Sequence, residues 1–218
     1  MARPKAGYYN AAGKRIPGAT TICGIAKDSG GLIHWAWDLG MQGLDYREVR
    51  DKAADAGTLV HSMIEAHAAG TDPFEALVDV DSDLATLAIK GYDGYKEWAE
   101  VSKIEIVDQE MSMVSEEYQF GGTPDAIGYC NGKLSLLDWK SGRLYPEQII
   151  QVASYRQLQR ENHPDDVIES VHLCRFNKET GGFVHMMLPE EVVDLGWEQF
   201  KLLRVVYENS KLLKKAVK

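Results

Sequence analysis

Residues 121–142, GGTPDAIGYCNGKLSLLDWKSG, decide the fold of this 218-residue chain. They predict two strands joined by a tight turn, because Asn131-Gly132 between two apolar runs is a strong hairpin signal. Alternate side chains of a strand share a face, so Asp138 and Lys140 point the same way. The hairpin brings Asp125 close to Asp138. Two carboxylates that converge beside a lysine are what a hard divalent cation and a hydrolytic water require.

A structural interpretation of the same residues stays open. Asp and Lys on a strand usually form an exposed cross-strand ion pair. The apolar run of residues 134–137 before Asp138 is typical of a central strand, where an acid and an amine are costly unless they pair or bind something. Taken alone, Asp138-Trp139-Lys140 therefore indicates a site and a salt bridge equally.

Composition limits the class of protein. The net charge of −9 argues against a protein that coats nucleic acid by bulk charge, although a local basic groove remains compatible with it. Cys23, Cys130 and Cys174 are scattered without a CxxC pair, which excludes common zinc and iron–sulfur sites. No apolar run is long enough for a membrane span, and residues 1–7 lack the apolar core of a secretory signal. We therefore expect a cytoplasmic protein with no membrane partner.

The pattern along the chain predicts one domain, residues 1–218, in three parts. These are a mainly helical part over 1–102, a sheet core with an inserted helix over 103–188, and a C-terminal helix over 189–218. Helices are predicted over 32–69 with a break near Gly40 and Gly43, over 82–101, over 146–162 and from Pro189 onward, and strands over 103–114, 118–130, 133–140, 167–176 and 182–187. This order predicts an α/β fold with a mixed central sheet flanked by helices.

Two further predictions concern aromatic residues and a turn. Trp35 and Trp37 are expected to pack in the core, with stacking on unpaired bases as the alternative. Residues 177–181 are expected to form the turn between the last two strands.

More polar residues recur at spacings that place them together. Gly57 and His61 lie in a helical pattern, and Glu65 follows His61 at i+4 on the same helix face. Gln151 and Tyr155 share one face of the helix after the second hairpin strand.

In this order, Gly57…His61, Gly122-Thr123-Pro124-Asp125, Asp138-Trp139-Lys140 and Gln151…Tyr155 resemble the PD-(D/E)XK nuclease superfamily. The closest branch is the RecB-like and lambda-exonuclease-like group, whose pattern is GxxxH, GxxD, D/E-x-K and QxxxY. The resemblance covers residues 16–176, and residues 16–22, IPGATTI, are similar to the entry segment of phage and mitochondrial members. It implies the PD-(D/E)XK nuclease core. Because the iron–sulfur cysteines of some RecB-like members are missing, the phage or mitochondrial exonuclease type is favoured. The resemblance thus implies the cytoplasm of a bacterial or phage-infected cell.

The resemblance also implies roles for individual residues. Asp125 and Asp138 would bind one or two Mg²⁺ or Mn²⁺ ions, with His61 as a further ligand or orienting group, and the imidazole favours manganese competence. Lys140 would position or activate the attacking water and offset phosphate charge. The remaining site residues are candidate supports or substrate contacts: Gln151 and Tyr155 beside Lys140 and the DNA backbone, Ser141 and Arg143 at a flanking phosphate, and Glu65 and Glu110 near the metal.

Several simpler interpretations of these residues stay open. His61 alone is more often a hydrogen-bonded helix histidine than a ligand, and Glu65 is also compatible with an exposed helix acid. Glu110 matches an acidic position of the family's first strand, yet three nearby acids compete with it for that position: Glu105, Asp108 and Glu116. Lysines 211, 214, 215 and 218 are expected at a solvated helix end, with DNA contact as the alternative.

The function implied by the resemblance is a metal-dependent DNA exonuclease. It would hydrolyse phosphodiester bonds from single-stranded or processed DNA ends in recombination, repair or replication. A structure-specific endonuclease on the same core and a catalytically degenerate DNA-end-binding protein are the alternatives. The sequence leaves homo-oligomerisation open.

Overall fold

The computed structural model describes residues 7–27, 30–177 and 180–217, without the side chains of residues 51–55. Its helices are α1 (Ala19–Cys23), α2 (Gly30–Met41), α3 (Tyr46–Ala68), α4 (Ser82–Val101), α5 (Pro146–Asn162) and α6 (Glu190–Ala216). Its strands are β1 (Tyr8–Tyr9), β2 (Arg15–Ile16), β3 (Glu105–Gln109), β4 (Met113–Ser115), β5 (Phe120–Gly122), β6 (Ala126–Cys130), β7 (Lys133–Ser141), β8 (Ser170–Phe176) and β9 (Phe183–Leu188). Short 3-10 helices cover Gly24–Ala26 and Pro73–Leu77.

The central sheet has five strands in the order β3-β6-β7-β8-β9. Only β7 and β8 run parallel, and α5 connects them, as a parallel pair requires a crossover. The β6–β7 turn has positive φ at both Asn131 and Gly132, which is the type I′ geometry that this dipeptide predicts. The predicted α/β fold with a mixed central sheet flanked by helices is confirmed.

Alternation along β7 divides the core into two layers. Leu136 packs on one face of the sheet against residues of α1, α5 and α6, including Val152, Leu158 and Phe200. Leu137 and Trp139 pack on the other face against α3 and α4. Asp138 lies between these two residues in sequence, so it shares the face of Leu136 and α5.

The strand predictions over 103–114 and 118–130 are wrong in one respect, because each segment forms two separate strands. The first segment turns at Glu110, whose φ of 46° lies in the left-handed region. The second breaks at residues 123–125, where Pro124 has no amide hydrogen for a ladder. β4 and β5 pair in a small sheet of their own. The breaks leave Glu110 and Asp125 at strand ends rather than within strands.

Other parts of the helical prediction are close to the structure. The break predicted near Gly40 and Gly43 lies at residues 42–45, with Gly43 at a φ of 73°. Trp35 is half-buried against Tyr46, but Trp37 is 59% exposed, so its predicted place in the core is wrong. Residues 178 and 179 of the predicted turn lie outside the described residues.

Within the described ranges, no helix is both long and apolar enough to cross a membrane.

Candidate active site

Three acids line up at one end of the sheet. Ala126 of β6 pairs with Leu137 of β7, so Asp125 lies beside Asp138 on the neighbouring strand. Gln109 of β3 pairs with Ala126, and the next backbone amide, of Glu110, donates to the Asp125 carbonyl at 3.1 Å. Adjacent strands are about 4.8 Å apart, so Glu110, Asp125 and Asp138 form a row across three strands. We call these three residues the acid row.

Lys140 forms an ion pair with Asp138 from the same face of β7, as the alternation predicts. The Asp138 side chain is 1% exposed and that of Lys140 14%. Burial raises the pKa of Asp138 to about 7, although Lys140 opposes the shift. Burial alone would lower the pKa of Lys140, but Asp138 and Asp125 outweigh it and raise that pKa. The pair is therefore a buried acid and amine that depend on each other.

The Trp139 backbone connects two other predicted residues to this pair. Its amide donates to Asp125 Oδ2 at 2.7 Å, and burial raises the pKa of Asp125 despite the charge of Lys140. His61 of α3 also forms a hydrogen bond with the Trp139 backbone. Burial and the charge of Lys140 lower the pKa of His61 to about 4. His61 is therefore neutral at neutral pH, in the form that binds metal ions.

Glu65 lies one helical turn after His61 and meets the acid row at Glu110. Burial raises the pKa of Glu65, and the neighbouring charge of Glu110 and a hydrogen bond between the two carboxyl groups raise it further. Such a bond requires a proton between the two acids. Glu65 is half-buried, and its charge, like that of Glu110, raises the pKa of Asp125.

Gln151 and Tyr155 of α5 form the other wall of the centre. Gln151 Nε2 donates to Tyr155 Oη at 2.6 Å and to Thr20 Oγ1 of α1 at 3.3 Å. Burial raises the pKa of Tyr155 well above its ordinary value, and Asp138 and Asp125 raise it further. The tyrosine is therefore a neutral hydroxyl close to both carboxylates.

The glycines of two motifs permit close approaches of elements. A Cβ at Gly57 would lie 2.5 Å from Ser141 Cβ, so this position lets α3 approach the end of β7. A Cβ at Gly122 would lie 2.7 Å from ring and methyl carbons of Tyr155 and Leu158. The motif glycines thus bring helices α3 and α5 close to the sheet end that carries the acid row.

Two predicted substrate contacts lie at the edge of the centre. Ser141 is half-buried under α3, whereas Arg143 is exposed in the loop between β7 and α5. Thr20 and Cys23 were not predicted from the sequence. Thr20 accepts from Gln151, and the charge of Lys140 acts on Cys23, whose pKa burial raises to about 12. The entry-segment pattern pointed to this region without indicating either residue.

The donor set fits a hard divalent cation in its chemistry. Buried carboxylates whose pKa values are raised, beside a neutral imidazole, are groups that a cation would relieve of mutual repulsion. Among the described residues, however, no three His, Cys, Asp or Glu side chains are already placed to hold one metal ion between them. Metal binding by His61, Asp125 and Asp138 thus stays a prediction.

Comparisons with known proteins give information on the fold. No protein-family model matches the chain, and no curated protein matches it. The crystal structure of a candidate exonuclease from Eubacterium rectale aligns with a TM-score of 0.50 and 12% identity, over 67% of this chain and 64% of the other. The alkaline exonuclease LHK-Exo from Laribacter hongkongensis aligns with a TM-score of 0.36 and 13% identity, over 76% of this chain and 91% of its own. Its complex with dAMP aligns with a TM-score of 0.39 and 11% identity.

The Eubacterium rectale structure shows a shared fold. At 12% identity it establishes the fold alone, and the aligned part spans less than two thirds of that protein. The predicted resemblance to nucleases is confirmed at the level of the fold, which this chain shares with an exonuclease structure. Asp138 and Lys140 lie within β7, whereas Glu110 directly follows β3 and Asp125 directly precedes β6.

Proposed function

We propose that this chain is a metal-dependent phosphodiesterase that removes nucleotides from DNA ends. The observation that carries the proposal is the acid row at one sheet end, with Lys140 ion-paired to its last member. Two neighbouring carboxylates whose burial raises their pKa, Asp125 and Asp138, are expensive for a fold that does not use them. The exonuclease described for the structural relative is consistent with this activity.

In this proposal, Asp125 and Asp138 hold one or two Mg²⁺ or Mn²⁺ ions, and His61 is a further ligand or orients the site. The chemistry supplied by such an ion when bound is polarisation of the scissile phosphate and a more acidic water. Asp125 is fixed for this role because the Trp139 amide holds its Oδ2. His61 brings a neutral ring, since its pKa is lowered to about 4.

Lys140 would exchange part of its contact with Asp138 for the attacking water and a phosphate oxygen. A compact ammonium has three donors, so it can hold the carboxylate and a water at once. Gln151 and Tyr155 would keep Lys140 and the DNA backbone in place from α5. Glu65 and Glu110 would support the metal side of the centre, and Ser141 and Arg143 a flanking phosphate.

The test compares a linear single-stranded DNA, labelled at one end, with the same strand closed into a circle. We expect Mg²⁺ and Mn²⁺ to support release of nucleotides from the linear strand only, and Ca²⁺ or excess chelator to give none. Comparable loss of the circle would favour the endonuclease alternative. Binding of linear DNA ends without cleavage under any of these ions would favour the end-binding alternative.

Asp138→Asn tests the site assignment, because the amide keeps the shape of the side chain and removes its charge. We expect it to lower the cleavage rate by at least roughly a hundredfold, the scale of a lost electrostatic group in an active site. Its thermal midpoint should fall, because Lys140 then lies buried without its ion-pair partner, so cleavage is compared at a temperature where both proteins are folded. A folded Asp138→Asn protein with normal turnover would refute the assignment.

We further propose that the activity serves recombination, repair or replication, in which DNA ends are trimmed.

A further inference from the structure

A cleft separate from the acid row lies between α1 and the C-terminal helix α6. It has a volume of about 430 Å³ and is lined from α1 and the turn after it by Thr20, Thr21, Gly24 and Ile25, and from α6 by Tyr207, Ser210, Lys211 and Lys214. None of these lining residues is acidic, although the chain carries a net charge of −9. A cleft with two ammonium groups and no carboxylate among its lining residues favours an anionic ligand.

The two lysines keep donors for such a ligand. Lys214 has no ion pair within the described part of the chain, and its side chain is exposed. Lys211 Nζ lies 3.5 Å from Glu208 Oε2, a long contact. The other oxygen of Glu208 accepts from Arg204 at 2.8 Å, so Arg204 already balances that carboxylate. An ammonium has three donors, and neither lysine uses all of them within the protein.

The cleft is connected to the candidate active site through one short helix. Thr20 lines the cleft and accepts from Gln151, which in turn donates to Tyr155 beside the acid row. At the other end of α1, Cys23 is close enough to Lys140 for its charge to lower the cysteine pKa against burial. A helix with its side chains is about 10 Å across, so a strand in the active site reaches the cleft within a few nucleotides.

We propose that this cleft binds a backbone phosphate of the substrate strand away from the scissile bond. Lys211 and Lys214 supply the charge, and the hydroxyl groups of Thr21 and Ser210 supply neutral donors. The ligand class is the phosphodiester of a nucleic-acid strand. The inference rests on the proposed function, because it takes the acid row as the place where the strand is cut.

The test measures binding of a fluorescent single-stranded DNA oligonucleotide by anisotropy, in chelator and in Ca²⁺, over a range of salt. The double variant Lys211→Gln, Lys214→Gln should bind roughly tenfold more weakly at low salt. Two lost phosphate contacts should also make the slope of log affinity against log salt shallower by about 1.4, at 0.7 for each contact of a single strand. The matched control is Lys215→Gln, an exposed neighbour on α6 that does not line the cleft.

A second measurement separates direct contact from general charge attraction. Single uncharged methylphosphonate linkages are placed along the strand one at a time. In the unaltered protein one linkage outside the cleavage position should weaken binding, and in the double variant that position should have no effect. Lys211→Arg, Lys214→Arg keeps both charges and should restore the salt slope. Competition by inorganic phosphate alone, without any position-dependent methylphosphonate effect, would overturn the assignment to a strand phosphate.

The outcomes distinguish this inference from the proposed function. If the double variant and Lys215→Gln bind with the same affinity and salt slope as the unaltered protein, the cleft is not a phosphate site and the inference fails alone. If the unaltered protein binds no single strand in chelator or Ca²⁺, the proposed function fails and the inference fails with it.

Discussion

Lys140 is the residue at which the structural and catalytic interpretations of Asp138-Trp139-Lys140 differ. The observed ion pair with Asp138 satisfies both, since a buried acid needs a partner whether or not the site is used. The two interpretations predict different results for an arginine at this position. Arginine is an excellent ion-pair partner, but it is planar, larger and always protonated.

We therefore predict that Lys140→Arg and Lys140→Ala both lose at least roughly a hundredfold in cleavage rate, the scale of a group that positions or transfers a proton. Lys140→Arg should keep a thermal midpoint near that of the unaltered protein, because the charge of Asp138 stays balanced. Cleavage rate and thermal unfolding are measured for both variants. A Lys140→Arg enzyme with a normal rate would show that water activation lies elsewhere.

The acid row shows which site residues can be predicted from one sequence. Asp125 and Asp138 follow from a local hairpin, whose register the turn dipeptide fixes. Glu110 comes from a strand whose partner is not local, so the nearby acids could not be separated from it. The structure places two of them, Glu105 and Asp108, exposed on β3, and the third, Glu116, accepts from the Ala11 amide at 2.7 Å.

At the scale of elements, the approach of α3 to β7 depends on Gly57. A helix interior normally gains about 1 kcal/mol when glycine becomes alanine. Here the added Cβ would lie 2.5 Å from Ser141 Cβ, closer than carbon atoms pack. In Gly57→Ala, the helix propensity of alanine stabilises the fold and the clash with Ser141 destabilises it. At a distance of 2.5 Å we expect the clash to be the larger effect.

We predict that Gly57→Ala lowers the free energy of unfolding by about 1–3 kcal/mol, the usual cost of overpacking. Gly40→Ala on α2 is the matched control, since no atom lies within 4 Å of its added Cβ. It should be neutral or stabilising. Both are measured by urea unfolding, and a stabilised Gly57→Ala protein would show that α3 moves away freely.

The double variant Gly57→Ala, Ser141→Gly tests whether this particular contact causes the loss. Removing the Ser141 side chain makes room for the alanine, so the effects of the two changes should not add. Additive losses of stability would place the cause in another contact of α3.

The elements differ in how well the sequence predicts them. The segment over 146–162 is a helix at the predicted residues, because Pro146 marks its start and its pattern is local. The sequence predicts continuous strands over 103–114 and 118–130, because strand-forming residues lie on both sides of each break. The first break arises from the left-handed conformation of Glu110, and nothing in the sequence distinguishes Glu110 from its neighbours as a turn residue. The second break arises from Pro124.

At the scale of the whole molecule, a pair of histidines on β8 and β9 links the stability of the fold to pH. His172 Nδ1 on β8 lies 2.6 Å from His185 Nε2 on β9, and His172 Nε2 lies 2.8 Å from Ser170 Oγ. Burial and the charge of His185 lower the pKa of His172 to about 4, and burial lowers the pKa of His185. The sequence does not predict this pair, because only the register between β8 and β9 brings the two histidines into contact.

The direction of the pH effect follows from these lowered values. Below the ordinary histidine pKa of 6.5 the unfolded chain takes up protons that the folded pair resists. We predict that the contribution of the pair to the free energy of unfolding falls as the pH drops from 6.5 toward 4, by up to about 1.4 kcal/mol per pH unit for each histidine. His61 contributes with the same sign, because its pKa is lowered as well.

His172→Gln isolates the share of the pair in this effect. An amide keeps hydrogen-bonding groups toward Ser170 and His185 but does not titrate. The variant should show a shallower loss of stability between pH 6.5 and 4 in urea unfolding, while exposed His34→Gln should leave the profile unchanged. Identical profiles for all three proteins would assign the loss of stability to other groups such as His61, because Asp138, whose pKa is raised, contributes with the opposite sign.

The acid row also implies a trade-off between stability and function. Folding brings Glu110 toward Glu65 and Asp125, and the charge of Glu110 raises the pKa values of both, so the fold carries repulsion that the proposed metal ion would relieve. Glu110→Gln removes one charge and gives Glu65 an amide donor. We predict that this variant melts about 2–4 °C higher, as expected for roughly 1 kcal/mol in a chain of this size, and cleaves more slowly. A lower melting temperature would mean that the glutamate stabilises the resting fold.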